Sequence, residues 1–160
     1  MSQPIADHPF TPHDHQQCID QAMARAEALC RRQRARLTPL RRRVLELLWQ
    51  SHRPVGAYEL LEQLRTGSRA APPTVYRALD FLQRVGLAHR LASLNAYTGC
   101  CYPGESHAGQ FLICRSCQAS SELSSAGVSR SIRQATAAAG FSVEQQTVEI
   151  HGLCSRCRED

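Results

Sequence analysis

At 160 residues the chain has room for one ordinary domain or two small ones, and its 42% hydrophobic content is enough for a globular core. No apolar run approaches the roughly 18 residues of a membrane span, and residues 1–10 lack the basic start and apolar stretch of a secretory leader. The net charge of +5 is unevenly spread. Residues 1–89 carry 13 arginines against 8 acidic residues, whereas residues 90–160 carry 6 against 6, so the first part is the one expected to meet a polyanion. Lysine is absent; each basic side chain is an arginine fork able to grip phosphate or a guanine edge with two hydrogen bonds.

Residues 1–17, with His8, His13 and His15, are polar and aperiodic and read as a loose arm with surface histidines. From 18 to about 33, Ile19, Ala22, Met23, Ala26 and Cys30 recur at helical spacing. Cys18 and Cys30 read as small hydrophobes on or near that face. Arg31, Arg32, Arg34 and Arg36 follow, suited both to the helix dipole and to phosphate. Thr38-Pro39 starts a second helix, with a hydroxyl cap and proline in the first turn, running to about 50 with Leu40, Val44, Leu47 and Leu48 inward. A third short helix is predicted over 57–65, followed by a loop over 66–71.

The next helix begins at Pro72-Pro73-Thr74-Val75-Tyr76-Arg77. At 100° per residue, Ala78, Leu79 and Leu82 fall within about 60° of Val75, whereas Arg77 and Arg84 lie at about 200° and 180°. One stripe anchors the helix and the other offers arginine, until Gly86 stops it. Two short strands are predicted at 87–91 and 95–98. Three helices, a basic fourth and a terminal hairpin describe a winged helix-turn-helix, whose fourth helix enters the major groove. Residues 99–110 are rich in chain breakers and read as a linker. A strand at 111–113, a helix over 126–139 and a strand over 141–150 complete the chain. The expected class is α+β: a winged-helix DNA-binding domain over 18–98, the linker, and a small α/β zinc-stabilised dimerisation domain over 111–160.

That last unit carries Cys114-Arg-Ser-Cys117 and Cys154-Ser-Arg-Cys157. Two thiols three positions apart on a tight turn can share one ion, and two such pairs separated by about 36 residues make a tetrathiolate zinc site. Paired thiols that hold metal rather than disulfides point to the reducing cytoplasm. A unit of about 50 residues needs metal or a partner subunit besides its core. His89, Cys100, His107 and Glu122 form a second constellation straddling the linker. Spacing alone leaves them either a tetrahedral zinc set or four unconnected polar residues.

Arg36-Leu-Thr-Pro39, Pro73-Thr-Val-Tyr-Arg-Ala-Leu79, Cys114-x₂-Cys117 and His151-Gly-Leu-Cys-x₂-Cys157 together resemble the ferric uptake regulator family, and within it the zinc-sensing branch. The resemblance spans about residues 18–158. It implies a homodimeric winged-helix repressor that binds AT-rich palindromic operators when zinc-loaded and silences zinc-import genes, with two Zn²⁺ per chain. It places structural zinc on Cys114, Cys117, Cys154 and Cys157, and regulatory zinc on His89, Cys100, His107 and Glu122. It assigns base contacts to Tyr58 and Arg77, phosphate contacts to Thr74 and Tyr76, and a link between two dimers on one operator to Glu62 and Arg65. The run of histidines that the iron-sensing branch carries before the first knuckle is reduced here to His107, which counts against an iron- or peroxide-responsive member. Cys101 leaves open which of two adjacent sulfurs binds, and His151 reads as a neighbour of the second knuckle or a core residue rather than a ligand.

Two other classes compete. A thiol–disulfide oxidoreductase needs an activated cysteine ahead of a helix in a thioredoxin-like setting, and neither pair has that context. A zinc-stabilised interaction module that never touches DNA would be indifferent to Arg77. No nucleophile–base or carboxylate pair suggests an enzyme.

Overall fold

The computed structural model describes residues 9–65 and 71–159. Residues 1–8 of the expected arm and 66–70 of the expected loop lie outside the described residues. Helix α1 spans His15–Arg32, α2 Pro39–Trp49, α3 Ala57–Arg65 and α4 Pro72–Arg84. The hairpin strands are β1 (Ala88–Leu91) and β2 (Ala96–Gly99), joined by a single 3₁₀ turn. Then come β3 (Gly109–Cys114), β4 (Ser120–Glu122), α5 (Ala126–Ala138), β5 (Thr147–Gly152) and a short α6 (Ser155–Arg158).

Local chemistry explains the helix ends. Thr38 caps α2 by accepting from the Arg41 N–H, with proline in the first turn. Gly86 ends α4 at φ +82°, where a side chain is strained. Its N–H donates to the Gln83 carbonyl and that of Leu87 to Leu82, the paired closure of a Schellman motif. Helix α1 starts earlier than the apolar period indicates, because Asp14 accepts from the N–H groups of Gln16 and Gln17. The end of the expected arm, residues 15–17, is therefore helical.

The first four helices enclose one continuous core that includes Ala26, Val44, Leu48, Leu60, Val75, Leu79 and Leu82. Cys18 and Cys30 are both buried in it. Trp49 closes its edge so tightly over Gly99 that a Cβ there would lie 2.1 Å from the indole nitrogen. That contact requires glycine immediately before Cys100. The hairpin packs on this core, and Val55 and Tyr97 exchange backbone hydrogen bonds of 2.8 Å at its edge.

The second half is a three-stranded sheet in the order β4-β3-β5, with β4 antiparallel and β5 parallel to the central strand. Its terminal strand begins at Thr147 rather than 141, leaving Phe141 exposed before it. Strand β4 was not anticipated: Ser120-Ser-Glu122 has little intrinsic strand preference and is held by its partner β3. Leu91 at the end of β1 packs with Phe111 and Ile113 of β3 and joins the two halves. Among the described residues, no helix is long and apolar enough to cross a membrane.

Candidate metal centres and nucleic-acid interface

Cys114 closes β3, and the chain turns back over Cys117. Gln118 adopts φ +62° and its N–H donates to the Cys114 carbonyl at 2.9 Å. Cys154 caps α6, whose first turn carries Cys157. The parallel pairing of β3 with β5 brings both turns to one end of the sheet, and the four sulfurs lie within 4.8 Å of one another. The Cys154 N–H donates to Cys114 Sγ at 3.4 Å, and this hydrogen bond leads in lowering the Cys114 thiol to about 6. A thiol so disposed ionises readily, the form in which sulfur binds metal.

The second constellation is also assembled. His89 from β1, Cys100 after β2, His107 from the connecting segment and Glu122 from β4 offer donor atoms within 4.8 Å of one another. Glu122 Oε1 accepts from His107 Nε2 at 2.7 Å, while its other oxygen accepts from the Cys101 N–H at 2.7 Å. His89 Nε2 lies 2.9 Å from Oε1 but off the line of a hydrogen bond, so this buried nitrogen has no hydrogen-bond partner. Cys100 Sγ is 3.5 Å from His107 Nε2, and His107 Nδ1 faces the Glu105 carbonyl at 2.9 Å, which fixes the ring.

Charge in this pocket is finely opposed. Burial pushes the Glu122 carboxyl up, but the imidazoles of His107 and His89 and the Cys101 N–H outweigh it and hold the group at about 2. The hydrogen bond to Glu122 raises His107, and burial raises the Cys100 thiol. An orphaned imidazole nitrogen, a carboxylate, a second imidazole and a thiol converge on one point, a donor set that fits Zn²⁺. Of the adjacent cysteines, Cys100 faces this cluster, whereas Cys101 packs its side chain against the helical core.

The arginine face of α4 is open. Val75, Ala78, Leu79 and Leu82 are buried as the wheel requires, together with Phe81 on their flank. Arg77 and Arg84 are exposed. Tyr76 is 52% exposed and Thr74 half-buried beside Arg77. Tyr58 on α3 stands 70% exposed, and Glu62 and Arg65 on the same helix are exposed too. Arg41 stacks over the Phe81 ring at 3.7 Å from its centroid, which ties the first turn of α2 to α4.

Against known proteins, the ferric uptake regulator family model matches residues 32–151. The chain belongs to the ferric uptake regulator family. It is 39% identical over 139 residues to the zinc uptake regulation protein of Escherichia coli K12, an alignment covering 86% of this chain and 81% of that protein. A zinc uptake regulator complexed with zinc and DNA superposes with a TM-score of 0.83 at 38% identity, over 88% of this chain and 95% of the other. Holo XcZur gives 0.80 at 41% identity, over 89% and 99%. The apo form of the same relative, at the same 41% identity and over 88% and 97%, gives only 0.52. The present arrangement thus resembles that relative's holo form far more than its apo form.

One residue that holds this arrangement, Glu149, is marked by nothing in the sequence. The Glu149 carboxylate on β5 accepts from the N–H groups of Ala92 and Ser93 at 2.7 and 3.1 Å, clasping the turn of the hairpin. Ser93 Oγ lies 3.0 Å from His151 Nε2. His151 is exposed and engaged there, so it belongs neither to the core nor to the knuckle cluster. No local motif marks Glu149; its partners lie 57 and 56 residues away.

Proposed function

We propose that this chain is a zinc-responsive transcriptional repressor that, as a zinc-loaded homodimer, binds AT-rich palindromic operators of zinc-uptake genes. Residues 18–98 bind DNA, 99–110 act as the hinge, and 111–160 dimerise. Cys114, Cys117, Cys154 and Cys157 hold one structural zinc, while His89, Cys100, His107 and Glu122 hold the regulatory one. The observation that carries the reading is the origin of the second donor set. It takes one ligand from the hairpin, one from the sheet and two from the segment between them.

Zinc bound there supplies a divalent charge that keeps two imidazoles, a thiolate and a carboxylate together. His89 and Glu122 are thereby held in register across the two halves, and the angle of α4 to the sheet is fixed with them. A metal that favours one such geometry shifts the population toward it, the requirement for a switch. Arg77 and Tyr58 then read bases, Thr74 and Tyr76 meet phosphates, and Glu62 and Arg65 link a second dimer on the same operator. Dimerisation is supported by β5 as an edge strand and by exposed Phe141, Ile150 and Leu153 on the same half.

The test uses a palindromic duplex selected from a random pool by the zinc-loaded protein. Glu122→Gln is expected to bind one zinc fewer than the wild type, with affinity at that site reduced more than about 100-fold, the upper range for disturbing even outer partners of a metal ligand. It should stay dimeric and gain no DNA affinity when zinc is added. Arg77→Ala should keep its zinc and lose about 1–3 kcal/mol of base discrimination. Equal zinc content and intact zinc-dependent DNA binding in Glu122→Gln would sink the proposal.

A further inference from the structure

A third cluster of donors lies outside both of these sites. His13, His15, Cys18 and His52 each offer one ligand atom, all within 4.8 Å of one another. Three of them come from His13-Asp-His-Gln-Gln-Cys18, wrapped over the start of α1. Asp14 caps the helix, so His13 precedes it, while His15 and Cys18 stand three residues apart on one face. His52 comes from the turn between α2 and α3, and its own backbone carbonyl accepts the Ser120 N–H of β4 at 2.8 Å.

The rings are oriented with nitrogens inward. His13 Nδ1 donates to the Thr11 carbonyl at 2.8 Å, leaving Nε2 to face His52 Nε2 at 2.7 Å. His15 Nε2 donates to the Gln50 carbonyl at 2.8 Å, leaving Nδ1 buried without a hydrogen-bond partner. A ring nitrogen anchored on a carbonyl while the other points into a shared centre is the arrangement that fixes metal-binding histidines. The three ring centroids lie 4.7, 4.8 and 6.0 Å apart.

We propose that His13, His15, Cys18 and His52 form a further zinc site, which fastens the N-terminal segment across the junction of the two halves. Three imidazoles and one thiolate suit Zn²⁺ or Co²⁺ and exclude Mg²⁺ and Ca²⁺, which take oxygen ligands. The location gives the site its consequence. Phe10, just upstream, packs against Cys114, Ala119 and Cys154 of the knuckle, and the adjoining cavity is lined by His52, Cys117 and Arg156. Metal here ties α1 to the α2–α3 turn at the point where that turn meets β4.

The test compares full-length wild-type protein with His13→Gln/His52→Gln, each saturated with zinc, freed of excess metal and assayed for zinc per chain. The wild type should hold one zinc more than the double variant, a difference that stands whatever the other two clusters bind. Cobalt titration supplies a second readout: the wild type should show one more equivalent with tetrahedral visible bands. His13→Gln alone, on an exposed residue outside the core, should weaken that last equivalent at least tenfold without touching the fold. Equal zinc content and superimposable cobalt titrations in wild type and double variant would overturn the site.

Discussion

The two halves of the molecule solve the problem of burial differently. The helical half closes a continuous core in which Ala26, Val44, Leu60, Leu79 and Leu82 have no measurable exposure. In the sheet half, α5 has no buried residue at all, and Phe141, Ile150 and Leu153 remain exposed. The apolar side chains buried there gather around Cys114 and Cys154 or lean on Leu91 of the other half. The first half has the core of a self-sufficient domain; the second has the small core of units that stand on metal or a partner subunit, in keeping with the proposed knuckle zinc and dimer. The proposed sensing cluster, His89, Cys100, His107 and Glu122, sits where these two kinds of structure meet.

The largest test of that contrast is Cys154→Ser. Structural zinc contributes about 10–16 kcal/mol of apparent binding free energy in small zinc modules, much of it spent on folding. The variant should lose the knuckle zinc and the protection of amides in β3 and β5 against hydrogen exchange, while the helical half keeps its own. An unchanged dimer with a protected sheet would show that this half stands without metal. Leu79→Ala probes the other side. Leu79 is fully buried at the centre of the helical core, so its truncation should cost about 2–5 kcal/mol, read from denaturant unfolding of that half. Zinc at the knuckle should be unaffected; a matching loss of sheet protection would mean the halves unfold as one unit.

The contrast also explains what could be read from the chain. Helices α2, α3 and α4 were legible because their apolar period is local, helped by the Thr38 cap of α2 and the Gly86 stop of α4, and tertiary packing agrees with them. The knuckle was legible because two Cys-x₂-Cys pairs are each complete in themselves. His89, Cys100, His107 and Glu122 carry no such period, and only the pairing of β4 with β3 delivers Glu122 to the others. Ser120-Ser-Glu122 signals no strand, since its conformation is imposed by its neighbour. The histidines at 13 and 15 read as a loose arm because the Asp14 cap that turns them inward is hidden in a polar run, and their partner His52 is remote.

Glu149 gives the smallest and most diagnostic effect. Burial pushes its carboxyl up, but the N–H groups of Ser93 and Ala92, with His151 nearby, bring it below the usual carboxylate range. A group depressed by folding contributes stability that is fully present above its unfolded pKa, about 4.3 for glutamate, and is lost as pH falls through the folded value. The clasp between β5 and the hairpin turn is therefore intact at pH 7 and opens in acid. The carboxylate is only half-buried, so solvent screens it, and Glu149→Gln should loosen the clasp by less than about 1 kcal/mol. Hydrogen exchange at the amides of Ala92 and Ser93, corrected for intrinsic rates, reads both effects. Protection should fall by up to about fivefold in the variant at pH 7, and the wild type should converge on the variant below pH 4. If the two proteins keep the same protection at every pH, the hairpin is held by contacts other than Glu149, Leu91 against Phe111 and Ile113 among them, and Glu149 does not help set the angle between the halves.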